Sequence, residues 1–149
     1  MSEADARLFP VRPLVGASIA VIRGERVLLA ARAREPMRGV WTLPGGLVEA
    51  GERLAAAALR ELREEVGVEA EVLAVLSPTE IIERDGEGRV RRHYVVHPHV
   101  ALWRAGEASA GPEALDVRWA RPEEAADLPT TPGLGITLDT ARLARMRRA

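Results

Sequence analysis

The apolar positions fall into short runs separated by glycine and proline. Leu14–Ile22 is an almost unbroken stretch of apolar and small residues, the pattern of a strand buried on both faces. Arg23-Gly24-Glu25 reads as a turn, so Arg26–Arg32 is expected to return as the second arm of a hairpin. Ala33–Val40 carries Pro36 and Gly39 and reads as a loop, Trp41–Leu43 as a short extended piece, and Pro44-Gly45-Gly46 as a break in the chain. The period then lengthens. Leu54, Ala58, Leu62 and Val66 recur at helical spacing, which predicts a helix over about 53–66 with Gly67 as its left-handed C-terminal cap. Ala70–Leu76 and Ile81–Arg84 read as extended, interrupted near Ser77-Pro78, and Asp85-Gly86-Glu87-Gly88 as a hairpin turn. Val90–Trp103 reads as strand with Pro98 marking an edge or a bulge, and Leu115–Ala120 as the last strand. Pro122 opens a short helix, and Ile136–Arg148 forms the final one. The order predicts an α/β fold, a mixed sheet holding a helix by its apolar face, with residues 1–13 as a loose lead-in and 14–149 as a single domain.

The polar side of the long helix raises a chemical question. Glu61, Glu64 and Glu65 stand at i, i+3 and i+4, so all three carboxylates project from one face. Adjacent carboxylates raise one another's pKa, and a divalent cation relieves that conflict. Three glutamates without histidine or cysteine suit a hard ion such as Mg²⁺ or Mn²⁺, and suit zinc poorly. The same spacing also fits a solvated helix face on which Arg60 and Arg63 pair with the acids.

Composition narrows the chemistry. The 149 residues contain no cysteine, which removes disulfides, thiol catalysis and cysteine-ligated metal. Every basic residue is arginine, so a bound phosphate would be held by arginine, backbone N–H or metal. A net charge of −1 gives no reason to expect a nucleic-acid or acidic-membrane partner. No apolar run approaches the ~18–20 residues of a membrane span. A cytoplasmic location is the expectation.

The register of loop, glutamate and helix resembles a family motif. Gly46, five residues, Glu52, seven residues, Arg60-Glu61-Leu62, one residue, Glu64-Glu65, one residue, Gly67-Val68 matches every fixed position of the Nudix box. The box covers residues 46–68, and the likeness of the flanking strands extends over most of 14–147. The resemblance implies the Nudix fold, an α/β/α sandwich around a mixed β-sheet with a catalytic loop–helix–loop. It implies metal-dependent attack of water on phosphorus and cleavage of a P–O–P bond. It further implies that Glu61, Glu64 and Glu65 are metal ligands and that Gly46 offers backbone close to metal or phosphate. Glu52 and Arg60 would support them, with Arg60 pairing to Glu52 or Glu61. Relatives draw a further carboxylate from a loop before a late strand. Glu113 takes that place as general base, with Glu107 and Asp116 as further options. Homodimers are common in the family.

The box leaves the substrate open. The overall likeness is to small bacterial ADP-ribose pyrophosphatase-like members, which implies ADP-ribose or a related nucleotide sugar as substrate. The proline about fifteen residues beyond the box that marks classical ADP-ribose hydrolases is absent, since Glu83-Arg84 occupies that place. A triphosphate pyrophosphohydrolase releasing diphosphate is the alternative, and a nucleotide-sensing domain without turnover is an alternative of another class. Arg32, Arg34 and Arg38, on the loop before the box, are the candidate phosphate contacts. Tyr94 is a candidate for stacking a base, Trp41 is expected to fill the core, and His93, His97 and His99 show no zinc spacing.

Overall fold

The computed structural model describes residues 5–147, so Arg148, expected in the final helix, lies outside the described residues. The elements are β1 (Leu14–Arg23), β2 (Arg26–Arg32), β3 (Trp41–Thr42), β4 (Gly45–Leu47), α1 (Leu54–Val66), β5 (Glu69–Val75), β6 (Thr79–Arg84), β7 (Val90–Ala105), β8 (Ala114–Ala120), α2 (Pro122–Ala125) and α3 (Leu134–Met146). Residues 5–13 are less loose than expected. Asp5–Arg7 makes one 3₁₀ turn, and Phe9 donates to the Arg91 carbonyl at 2.8 Å while its ring lies under the Arg89 guanidinium.

Strand β1 is the centre of a mixed sheet. It runs parallel to β7 from Leu14↔Tyr94 to Ile22↔Leu102. It pairs with β2 only beside the turn, at Ile22↔Val27 and Arg23↔Arg26, after which the hairpin opens. Beta-4 fills the space on β1, whereas β2 takes β3 and β8 as neighbours. Beta-5 and β6 lie end to end along the far edge of β7, separated by the Ser77-Pro78 break. Pro98 therefore stands inside the sheet, where β7 passes from β6 to β5, and its carbonyl accepts from the Leu76 N–H at 2.7 Å. A proline is tolerated at such a junction because no regular ladder bond needs its missing N–H.

Alternation along β1 divides the core. Ala17, Ile19 and Val21 face α1 and pack with Ala57, Ala58, Leu62 and Val66. Ala20 and Ile22 face the other way and pack with Leu134, Leu138 and Ala141 of α3. The result is a three-layer α/β/α sandwich. The alanine run gives α1 high helix propensity and lets its axis approach the sheet closely. Gly67 ends the helix as expected, at φ 72°, with its N–H on the Arg63 carbonyl at 3.0 Å. Trp41 is half-buried against the α3-side core, as the sequence suggested.

The break expected at Pro44-Gly45-Gly46 is instead a strand, with Ala17↔Gly46 and Ser18↔Gly45 in register. The glycines serve close approach. A Cβ on Gly45 would lie 2.5 Å from the Ala17 carbonyl oxygen and 2.8 Å from the Ser18 Cα. On Gly46 it would lie 2.5 Å from the Glu61 carboxyl carbon, so β4 and the polar face of α1 are in contact at that glycine.

Candidate active site

Arg60 organises the acids of α1 and the preceding loop. Its Nε donates to Glu52 Oε2 at 2.7 Å and its Nη2 to Glu52 Oε1 at 2.9 Å, a two-point grip on one carboxylate. Nη1 donates to Glu61 at 2.9 Å and to Glu64 at 3.2 Å, and Nη2 also reaches the Leu47 carbonyl at 3.1 Å. The side chains of Arg60, Glu52 and Glu61 are 20, 16 and 18% exposed, so these bonds are only partly screened by water, whereas Glu64 at 60% is the solvent-side member. The two-point bond from Arg60, together with the Glu49 N–H, pulls the Glu52 pKa from 4.5 to about 2. The same pairs hold the Arg60 guanidinium firmly in its charged form.

Glu65 has the opposite environment. Burial is the main force raising its pKa, from 4.5 to about 8, and the charge of Glu61 adds to it. Its carboxyl group shares a hydrogen bond with Glu61 and accepts one from the backbone N–H of Gly45, and the charge of Glu113 raises it further. Two half-buried carboxyl groups that share a proton are the arrangement a hard cation can displace. Among the described residues no three acidic or imidazole side chains converge into a ready metal cage. Arg60 Nη1 bridges Glu61 and Glu64 in its place. The donor set, all carboxylate oxygen beside a glycine backbone, fits Mg²⁺ or Mn²⁺, ions that retain several water ligands and do not need a closed protein cage.

Glu113 reaches this cluster through its loop. Ser109 and Gly111 donate backbone N–H bonds of 3.1 Å to the carbonyls of Val66 and Glu65, satisfying two last-turn acceptors of α1. A Cβ on Gly111 would meet the Glu65 carbonyl at 2.7 Å, so only glycine permits this docking. Glu113 is partly exposed and pairs with Arg34 at 2.9 Å, while its carbonyl accepts from the Ala33 N–H at 3.3 Å. The structure thus brings Arg34 and Glu113 together next to the helix carboxylates.

The other candidates fall elsewhere. Arg32 donates to the Pro36 carbonyl at 2.9 Å and Arg38 to the Ala33 carbonyl, so both brace their own loop. Glu107 pairs with Arg23, whose guanidinium stacks 3.7 Å over Trp103. Asp116 holds the Val117 N–H. Tyr94 sits opposite Leu14, three positions from Ala17, and so lies on the α3 side of the sheet, away from the α1 carboxylates. His99 is buried and shares its Nδ1 proton between the Ser18 and His97 carbonyls, and its burial lowers its pKa, so it is a neutral core residue. Sequence reasoning missed the backbone groups of the site, the Gly45 N–H and the Leu47 carbonyl. Both depend on the pairing of β4 with β1, for which the sequence carries no direct signal.

Comparison with known proteins identifies the family. The family model described as "NUDIX domain" matches residues 12–139. A putative 8-oxo-dGTP diphosphatase 2 of Mycobacterium tuberculosis is 54% identical over 57 residues, 38% of this chain and 40% of that protein. An ADP-ribose pyrophosphatase of Methanocaldococcus jannaschii is 29% identical over 109 residues, 73% of this chain and 62% of that protein. An RNA pyrophosphohydrolase of Novosphingobium aromaticivorans is 33% identical over 145 residues, covering 86% of this chain and 88% of that protein. Among solved structures, a MutT NUDIX hydrolase from Burkholderia pseudomallei is similar with a TM-score of 0.68 and 31% identity, over 86% of this chain and 97% of that one. The chain spans 40% and 62% of the lengths of the first two relatives, less than two thirds of either, so what they act on is said of them alone. By the register of its box, the sandwich around its mixed sheet and the span of the match, this chain belongs to the Nudix family.

Proposed function

We propose that this chain is a divalent-metal-dependent pyrophosphohydrolase that breaks the P–O–P linkage of a nucleoside diphosphate derivative, with ADP-ribose as its substrate. One observation carries the reading: Arg60 gathers Glu52, Glu61 and Glu64 while Glu65 stands half-buried against Glu61 and the Gly45 backbone, its pKa raised to about 8. Glu61, Glu64 and Glu65 would hold the cation, and Gly46 keeps their space open by lacking a Cβ. When bound, Mg²⁺ or Mn²⁺ neutralises phosphate oxygens and makes water a better nucleophile. Arg60 fixes the orientation of Glu52 and Glu61 from behind. Arg34, which pairs with Glu113 at 2.9 Å, would exchange that carboxylate for a substrate phosphate and so free Glu113 to accept a proton from the attacking water. The ADP-ribose pyrophosphatase relative, matched over 73% of this chain, supports the substrate choice. A second reading, hydrolysis of a nucleoside triphosphate to a monophosphate and diphosphate, is favoured by the 54% identity with the 8-oxo-dGTP relative.

A product-resolved hydrolysis screen with Mg²⁺ and then Mn²⁺ separates the two. It would include ADP-ribose, sugar nucleotides, ordinary and oxidised triphosphates and 5′-triphosphate RNA, with Glu65→Gln as control. AMP plus ribose 5-phosphate is the expected result. Diphosphate plus a monophosphate from one triphosphate would replace ADP-ribose with the second reading. Turnover that survives in Glu65→Gln would overturn the metal-site assignment.

A further inference from the structure

We propose that Arg23 is a positioning residue for the reaction: with Trp103 and Glu107 it forms a clasp that holds the 106–113 loop on the end of α1 and so keeps Glu113 beside the helix carboxylates. The inference rests on Glu113 as the general base. Arg23 ends β1 two residues beyond Val21, on the α1 side of the sheet, and meets the loop at the end opposite Glu113. Its guanidinium lies 3.7 Å over the Trp103 ring and 5.6 Å from the Trp119 ring, and both rings pack on the α1-side core. From that platform Nη1 and Nη2 donate to the two Glu107 carboxylate oxygens at 3.3 and 3.2 Å. Trp103 makes its own bond to the loop, from Nε1 to the Gly106 carbonyl at 2.8 Å. An exposed ion pair alone contributes little, and the Glu107 side chain is 80% exposed. Here the rings already fix the guanidinium, so less side-chain freedom is lost in closing the pair.

The clasp fixes the loop where it leaves β7. Gly106 turns at φ 89° against the cap of α1, where a Cβ would collide with the Gly67 carbonyl oxygen. Ala108 packs on the α1-side core, and Ser109 and Gly111 then bond the Val66 and Glu65 carbonyls. Pro112, its φ fixed by its ring, carries that placement on to Glu113. The Glu113 carboxylate itself is held by Arg34 at 2.9 Å. In the proposed reaction that bond is surrendered when Arg34 takes a phosphate. From then on Glu113 is placed by the backbone of its loop, and Arg23 supplies a side-chain hold on that loop. Arg23 thus acts on a proton transfer it does not touch.

Hydrogen exchange at the Ser109 and Gly111 amides, read by NMR, tests the clasp without turnover. The kcat and KM with Mg²⁺, for the substrate of the hydrolysis screen (ADP-ribose on the present reading), test its purpose. Arg23→Met still covers the Trp103 ring but loses the donors. It should speed exchange at both amides about fivefold or more and lower kcat about tenfold, with KM within about twofold of native. Glu107→Gln alters an exposed side chain without risk to the fold and should act in the same direction more weakly. Arg23→Lys keeps a cation over Trp103 and should recover part of the rate. Arg23→Met added to Glu113→Gln should slow turnover no further than Glu113→Gln alone. Native exchange rates in both Arg23→Met and Glu107→Gln overturn the clasp, whatever the turnover. Faster exchange with native kcat, or a full further loss on top of Glu113→Gln, overturns the positioning role. Native turnover in Glu113→Gln removes the general base and the positioning role with it, while the exchange result still stands, so the two failures are told apart.

Discussion

Replacing Glu65 by glutamine should make the metal-free protein more stable while destroying its proposed activity. A glutamate free in the unfolded chain titrates near 4.5, and Glu65 in the fold near 8, chiefly because it is buried and secondarily because Glu61 is charged. An acid whose pKa rises on folding binds its proton more tightly in the folded state. Between pH 4.5 and 8 the unfolded chain releases that proton and the folded chain keeps it, so stability falls as pH rises, by about 1.4 kcal/mol per unit at most. At pH 7 the penalty is on the order of 3 kcal/mol. Glutamine has no proton to retain, yet its oxygen can still accept from the Gly45 N–H and its amide can donate to Glu61. The assay is urea unfolding of native and Glu65→Gln protein, stripped with chelator, at several pH values from 5 to 8. The native protein should weaken with rising pH, and the variant should lead by about 2–3 kcal/mol at pH 7. Saturating Mg²⁺ should then raise native stability and leave the variant nearly unmoved, with turnover lower by orders of magnitude. Native stability that is flat or rising from pH 5 to 8, or a variant no more stable at pH 7, would refute the reasoning.

Three further outcomes follow from named contacts. Gly46→Ala places a methyl 2.5 Å from the Glu61 carboxyl carbon, so turnover should drop on the order of a hundredfold with the melting temperature little changed. Gly45→Ala meets backbone of Ala17 and Ser18 and should instead lose stability, and a thermal melt beside a rate assay separates the two. Arg60→Lys loses the two-point bond that holds the Glu52 pKa near 2, so the native lead in stability should be full at pH 7 and close as pH falls from 4.5 towards 2, measured by urea unfolding across that range. Glu113→Gln should slow turnover while leaving the Mg²⁺ affinity, read by calorimetry, within about twofold of native. Unchanged rates would return Glu113 to an ordinary loop acid paired with Arg34.

The helix was legible because two periodic signals agreed in one register, Ala58, Leu62 and Val66 on the core face and Glu61, Glu64 and Glu65 beside it. The first hairpin and the Gly67 cap were legible because their chemistry is local. Beta-4 was not. Gly45 and Gly46 read as breakers, and a sequence does not distinguish a glycine needed for a turn from one needed where backbone meets backbone or carboxylate. Pro98 misled in the same way, since its place within the sheet depends on where β5 ends and β6 begins. The contacts among Arg34, Glu113 and Glu65 join three distant segments, and only the docking of the Ser109–Gly111 backbone on the end of α1 brings them together. The box showed which acids stand together, while the fold shows which of them is buried and so has its pKa raised, to about 8.

That last difference explains why a helix retains like charges at adjacent positions. Among the described residues, Glu52, Glu61, Glu64, Glu65 and Glu113 surround one site, and the close ion pairs to them come from Arg60 and Arg34, with Arg63 acting on Glu64 from further off. Five acids against these few cations leave a deficit of positive charge, which is why Glu65, buried beside Glu61, has its pKa raised to about 8. Removing Arg60 would deepen the deficit, yet a second fixed arginine in its place would close the site to a metal. An arginine that grips Glu52 with two bonds but Glu61 and Glu64 with one nitrogen has the intermediate property. It anchors the loop permanently through Glu52 and can surrender the other two carboxylates to a stronger cation, because yielding Nη1 leaves the Nε and Nη2 bonds intact. Proton release from Glu65 when Mg²⁺ fills the proposed cation site is the expected consequence of the same balance. Calorimetric titrations of Mg²⁺ in buffers of different ionisation enthalpy should show close to one proton released per ion at pH 7, and none in Glu65→Gln. Equal proton release in both proteins would place the displaced proton elsewhere and break the link between the buried acid and the cation site.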